Sequence, residues 1–155
     1  MTRRWRLPMP AAQRATTALR APIRRRGSPE HDAQAAFFLR IHTLSLNDRR
    51  YAVPAERTHA IPNGGGRSKA EAGRLKSEGV KAGVSDVFVA YPVAHWHGLY
   101  IEMKRPDGGT LSEEQRRWLA ESERLGYLAV CCRGADEAWT VWRAYVDGGL
   151  DAAIE

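Results

Sequence analysis

Two short segments of strand composition, residues 86–91 (Asp-Val-Phe-Val-Ala-Tyr) and 99–104 (Leu-Tyr-Ile-Glu-Met-Lys), are joined only by a turn over residues 92–98. Such a pair most simply forms an antiparallel hairpin, and the rest of the chain must then build a sheet around it. The flanking punctuation fits. Ser28-Pro29-Glu30 opens a helix, because serine caps, proline is tolerated at the first helical position and an acid in the first turn suits the helix dipole. That helix is predicted to run to about Leu44, with Ala33, Phe37, Ile41 and Leu44 on one buried stripe. A short strand is predicted around His59-Ala60-Ile61, limited by Pro54 and Pro62. Residues 63–67 (Asn-Gly-Gly-Gly-Arg) are a loop, and Ser68 with Glu71 is a capping box for a short helix that Gly79 closes. Ser112 with Gln115 is a second capping box, followed by a helix with Trp118, Leu119 and Leu125 on its apolar side that stops near Gly126. The nearly all-apolar run 127–132 reads as an interior strand covered on both faces. A last helix over about 136–146 gathers Ala138, Val141, Trp142 and Tyr145 before Gly148-Gly149. The order α, β, α, β, β, α, β, α predicts an α/β fold, a mixed sheet with helices on its faces.

At 155 residues the chain is long enough for one sizeable core. No apolar run approaches the roughly 18 residues of a membrane span, and no signal-peptide pattern follows the first arginines, so the expectation is a cytoplasmic protein that is neither secreted nor membrane-bound. Cys131 and Cys132 are adjacent within an apolar run, which suits neither a disulfide framework nor a metal knuckle, so both read as reduced core residues. The net charge of +6 is unevenly distributed: residues 1–27 carry eight arginines and no acid, and the remainder sums to −2. With Pro8, Pro10 and Pro22 and no sustained apolar period, 1–27 reads as a flexible basic arm that can attract polyanions by counterion release. A solubilising tail, a start at Met9 and a transit peptide remain open for it. Residues 28–149 form the predicted domain and 150–155 a short tail.

The chemistry is concentrated in the hairpin. In a strand, side chains two apart share a face, so Glu102 and Lys104 emerge together while Ile101 and Met103 face the core. Alone, this is an ordinary surface ion pair. Asp86, however, starts the preceding strand, and the end of one strand of an antiparallel pair lies beside the beginning of the other. Two converging carboxylates repel and raise one pKa, and a divalent cation relieves that repulsion. Oxygen ligands without histidine or cysteine suit Mg²⁺ or Mn²⁺. Such an ion with a nearby lysine fits phosphodiester hydrolysis better than acyl transfer, for which no Ser-His or Cys-His pairing is present.

Gly83-Val84-Ser85-Asp86, then Glu102-Met103-Lys104, resembles the PD-(D/E)xK nuclease signature, with Ser85 where many members have proline. More specifically, residues 28–146 resemble the small stand-alone VRR-NUC proteins of phages and bacteria. The resemblance rests on a first helix bearing Glu30 and Gln34, the glycine-rich loop 63–67, residues 79–86, the Glu102-Met103-Lys104 triplet and residues 112–118. It implies a restriction-endonuclease-like core in which Asp86, Glu102 and the main-chain carbonyl of Met103 bind the metal. Lys104 is then the catalytic lysine, Glu30 a further acidic site residue and Gln115 a helix residue at the edge of the site. It also implies a homodimeric, structure-specific DNA endonuclease acting on branched DNA of the Holliday-junction type, in a bacterial or phage-infected cell.

Arg67, Lys69, Lys81 and Arg105 are candidate phosphate contacts, which position DNA without reading its sequence. His95 and His97 have metal-like spacing but fall in the turn, at the opposite end of the hairpin from Asp86 and Lys104. The glycine loop lacks the ending of a nucleotide-binding P-loop. Two other readings stay open: a non-catalytic DNA-binding module using the basic arm, and another phosphodiester or nucleotide hydrolase.

Overall fold

A computed structural model describes residues 28–62 and 69–149. The basic arm, the glycine-rich loop, the Ser68–Glu71 capping box and the C-terminal tail lie outside these residues.

Helix α1 spans Pro29–Asn47, and a 3-10 turn, Arg49–Tyr51, leads into the short α2, Ala52–Glu56. Strand β1 (Thr58–Ala60) and helix α3 (Lys69–Ser77) follow, then β2 (Val87–Val89) and β3 (Leu99–Lys104). Helix α4 (Glu113–Arg124), strand β4 (Leu128–Arg133) and helix α5 (Gly134–Val146) complete the domain. The sheet order is β1-β2-β3-β4, with β1–β2 and β2–β3 antiparallel and β3–β4 parallel. The expected mixed sheet and hairpin are therefore present.

The two faces of the sheet divide by residue parity. Val87, Val89, Leu99, Ile101, Met103, Leu128 and Cys132 join Phe37 and Ile41 of α1 and Ala138, Trp142 and Tyr145 of α5 in the main core. On the other face Phe88 stacks on Tyr100 with centroids 4.5 Å apart, and Tyr100 meets Trp118 of α4 edge-on at 5.8 Å. So α1 and α5 cover one face and α4 lies on the other. Trp142, fully buried, donates from Nε1 to Thr58 Oγ1 at 2.9 Å, and that hydroxyl donates to the Pro54 carbonyl at 2.8 Å. This chain of bonds ties α5, β1 and α2 together across the core. Trp142→Ala is expected to cost about 3–5 kcal/mol, read as a lower thermal midpoint by circular dichroism.

Four expectations need correction. The run 127–132 is not an interior strand: among the described residues β4 is an edge strand paired only with β3, and its apolar character comes from α4 and α5, which cover its two faces. Leu125 is not on the buried side of α4. It is the residue after the helix, 66% exposed. Residues 52–56, where Pro54 was expected only to limit a strand, form α2, since proline fits the first turn of a helix, where its missing N–H bonds nothing. The strand over 86–91 is shorter, Val87–Val89, although Asp86 and Ala90 at its ends still bond the main chain of Ile61 and Arg57 beside β1. Among the described residues no helix is long and apolar enough to cross a membrane.

Candidate active site

The site forms where the strands of the hairpin meet the N-termini of two helices. Register partners Val87 and Ile101 close the β2–β3 ladder. One rung further, Asp86 lies opposite Glu102, which is how the sheet brings the two carboxylates together. The Asp86 side chain then replaces the missing strand: its Oδ2 accepts the Met103 N–H at 2.8 Å. In an extended strand a residue's N–H and C=O point to the same side, so the Met103 carbonyl also faces the Asp86 end of the sheet.

Glu102 is 1% exposed and Lys104 8%. Lys104 Nζ donates to Glu102 Oε1 at 2.8 Å, and the Gln115 amide donates to the same oxygen. Gln115 also closes the capping box of α4, accepting the Ser112 N–H on its Oε1 at 2.9 Å. One side chain thereby couples the start of α4 to the carboxylate. Ser28, Glu30, His31 and Gln34 of the first turns of α1 form the facing wall of a cleft of about 620 Å³ that contains Asp86, Glu102, Met103, Lys104 and Gln115. Glu30 is close enough for its charge to act on both Asp86 and Lys104.

These carboxylates sit uneasily. Burial pushes Asp86 above the usual carboxylate range, against the opposing pull of the Met103 N–H and Lys104. Burial, with the charge of Asp86, pushes Glu102 up to about 7, despite its bond to Lys104. For Lys104, burial alone would lower the pKa, but the hydrogen bond to Glu102 and the charges of Glu102, Asp86 and Glu30 outweigh it and raise it.

A divalent cation fits this donor set. Glu102 Oε2 is buried and has no hydrogen-bond donor, an arrangement that costs free energy while the carboxylate is charged. Asp86 and Glu102 lie close enough to affect each other's proton, and oxygen donors of this kind match a hard cation. Among the described residues no group of three or more His, Cys, Asp or Glu side chains is placed to hold a metal ion. The candidate centre therefore rests on two carboxylates and a main-chain carbonyl on one side of a cleft.

The sequence-derived set of Glu30, Asp86, Glu102, Met103, Lys104 and Gln115 is brought into this one cleft. Lys81 and Arg105 are exposed and do not line it, and Arg105 lies near Asp107 at 3.8 Å. Arg67 and the Lys69 side chain lie outside the described residues. His31 was not anticipated at the site; its position beside Glu30 and three residues before Gln34 at the start of α1 was the available signal. Gly83, which the sequence offered only as part of the motif before Asp86, also has a packing role. Its φ is +83°, and a Cβ there would lie 2.6 Å from the Glu114 main chain, so the turn carrying Asp86 packs directly on the first turn of α4. Gly83→Ala is expected to destabilise the protein by about 1–3 kcal/mol, measurable as a shift of the urea midpoint.

The fold and the cleft define a nuclease-type α/β domain, with an acid–acid–lysine set at the ends of adjacent strands. The chain belongs to the VRR-NUC family, whose VRR-NUC domain model matches residues 23–136. Membership carries a nuclease-type, DNA-processing function, and nuclease domains of this family generally use divalent metals. A solved structure described as a VRR_NUC domain protein superposes with a TM-score of 0.62, covering 80% of this chain and 93% of its own at 24% identity, and so shares the fold. No curated protein matches the sequence significantly.

Proposed function

We propose that this protein is a Mg²⁺- or Mn²⁺-dependent endodeoxyribonuclease that hydrolyses phosphodiester bonds in branched DNA, Holliday junctions among them, as a homodimer. One observation carries the reading: two converging carboxylates and a lysine face one cleft, and one buried carboxylate oxygen has no donor. Asp86, Glu102 and the Met103 carbonyl would hold the ion, which when bound polarises a phosphoryl oxygen and lowers the pKa of water. Lys104, fixed by Glu102, orients the attacking water or stabilises the negative charge that develops on the phosphate. Gln115 keeps Glu102 in place, and Glu30 adds negative charge on the α1 side. Arg67, Lys69, Lys81 and Arg105 contact phosphates away from the cut. Branched substrates and a two-fold dimer follow from the family resemblance, since a two-fold pair presents two sites to two strands of a junction.

The test is cleavage of a labelled four-way junction beside linear duplex, flap and single strand in Mg²⁺, Mn²⁺ or EDTA. Paired, metal-dependent nicks in the junction are expected. Cutting confined to other forms would keep the chemistry and remove the junction preference. Binding without cutting in either metal would overturn the reading in favour of a DNA-binding module that uses residues 1–27.

A further inference from the structure

Strands β3 and β4 run parallel with Glu102 opposite Cys131 and Lys104 opposite Arg133. Facing residues on adjacent strands send their side chains to the same side of the sheet. Leu128 and Cys132 belong to the main core and Val130 packs against it, so Cys131 and Arg133 point to the other face, shared with Glu102 and Lys104. The electrostatics agree, since the Cys131 thiol is acted on by the charges of both Lys104 and Arg133.

Arg133 is exposed, at the point where β4 passes into α5. Its main chain is held, with the N–H donating to Glu137 Oε2 at 2.6 Å. Among the described residues its guanidinium makes no ion pair, whereas Arg105, next to Lys104 in sequence, pairs with Asp107. Arg133 does not itself line the cleft, but its register partner Lys104 does; the cleft presents three carboxylates, Glu30, Asp86 and Glu102, and its lysine is already engaged by Glu102. A polyanion approaching such a cleft needs a cation at its margin.

We infer that Arg133 is a substrate-binding residue that holds a backbone phosphate flanking the one at Lys104, on the β4 side. The inference rests on the nuclease reading above. Adjacent strands are about 4.8 Å apart, and a guanidinium on a long stem reaches beyond that spacing and matches phosphate with two parallel N–H bonds. A contact of this kind positions the strand and does not read bases.

The experiment compares Arg133→Ala and Arg133→Lys with Arg124→Ala, which removes the same charge from the far end of α4, where Arg124 is exposed and pairs with Glu121. Steady-state cleavage of the junction and the duplex is measured, together with anisotropy binding of both between about 50 and 200 mM salt. Arg133→Ala is expected to raise KM about tenfold with kcat little changed, equally for different sequences. It is also expected to make the slope of log K against log salt shallower by about one. Arg133→Lys keeps the slope and recovers part of the affinity. Wild-type behaviour of Arg133→Ala, or an equal effect of Arg124→Ala, overturns the inference. Absence of cutting by the wild type overturns the nuclease reading instead, and the binding slopes still judge Arg133.

Discussion

Lys104→Ala is expected to lower the rate of DNA cleavage by about 10²–10⁴-fold with little change in DNA affinity, because in the proposed mechanism the ammonium acts at the reacting phosphate and not on the length of the strand. The lysine is nearly buried beside Glu102, so its removal also leaves a buried carboxylate without its cation. That loss is destabilising when the carboxylate is charged. With Glu102 pushed up to about 7, the penalty shrinks at lower pH, where the carboxyl is protonated. Rates should therefore be compared with melting curves taken at the same pH. Glu102→Gln separates the two effects, since it keeps the shape, removes the buried charge and deletes a proposed ion ligand. It is expected to be as inactive as Lys104→Ala while melting no lower than wild type without metal. Substantial cleavage by either variant would remove that residue from the chemistry.

The second large effect is on stability. Glu102 titrates near 7 in the folded protein, against about 4.5 for an ordinary glutamate, and Asp86 is shifted in the same direction. The folded state therefore binds more protons than the unfolded state in this window. Its contribution is fully present below about pH 4.5 and is lost as pH rises through 7. Without metal, the melting temperature is expected to fall between about pH 5 and pH 8. On the proposed reading a divalent cation binds the charged pair, and its addition is expected to reverse the trend. At about 100 times its dissociation constant it stabilises by about 2.7 kcal/mol, or several degrees for a chain of this size. The same addition at pH 5, or to Glu102→Gln at pH 8, should do much less. Differential scanning fluorimetry across pH with Mg²⁺ or EDTA reads all of these. A melting temperature indifferent to Mg²⁺ at pH 8 would remove the ion from this cleft.

Much of the site was legible because it is local. Asp86, Glu102 and Lys104 belong to one hairpin, so strand alternation and an antiparallel turn suffice to bring them together. The capping box of Ser112 and Gln115 was equally plain, although its second duty, the hydrogen bond from Gln115 to Glu102, depends on how α4 docks, and only the family resemblance pointed Gln115 to the site. Edge position was illegible for a different reason. An apolar run such as 127–132 looks alike whether strands flank it or helices cover it, and here α4 and α5 do the covering. Pro54 carries two meanings, strand breaker and first-turn helix residue, and the bonds that run from Trp142 to Thr58 and from Thr58 to the Pro54 carbonyl are tertiary features that no local pattern shows. The side on which Arg133 emerges needed the parallel register with β3, which is set by tertiary contact and by no local pattern.

The hydrogen bond from the Met103 N–H to Asp86 has a consequence for which substitutions the site could tolerate. Asp86 gives one oxygen to the sheet, and Glu102 gives one to Lys104 and Gln115, so each carboxylate is anchored through one atom, and the second oxygen of Glu102 is left buried without a donor. Such half-anchored groups are already aimed before anything binds, and little rearrangement remains when it does. Reach, more than charge, then defines each position. An aspartate at 102 or a glutamate at 86 would keep the charge and still lose either the anchor or the aim.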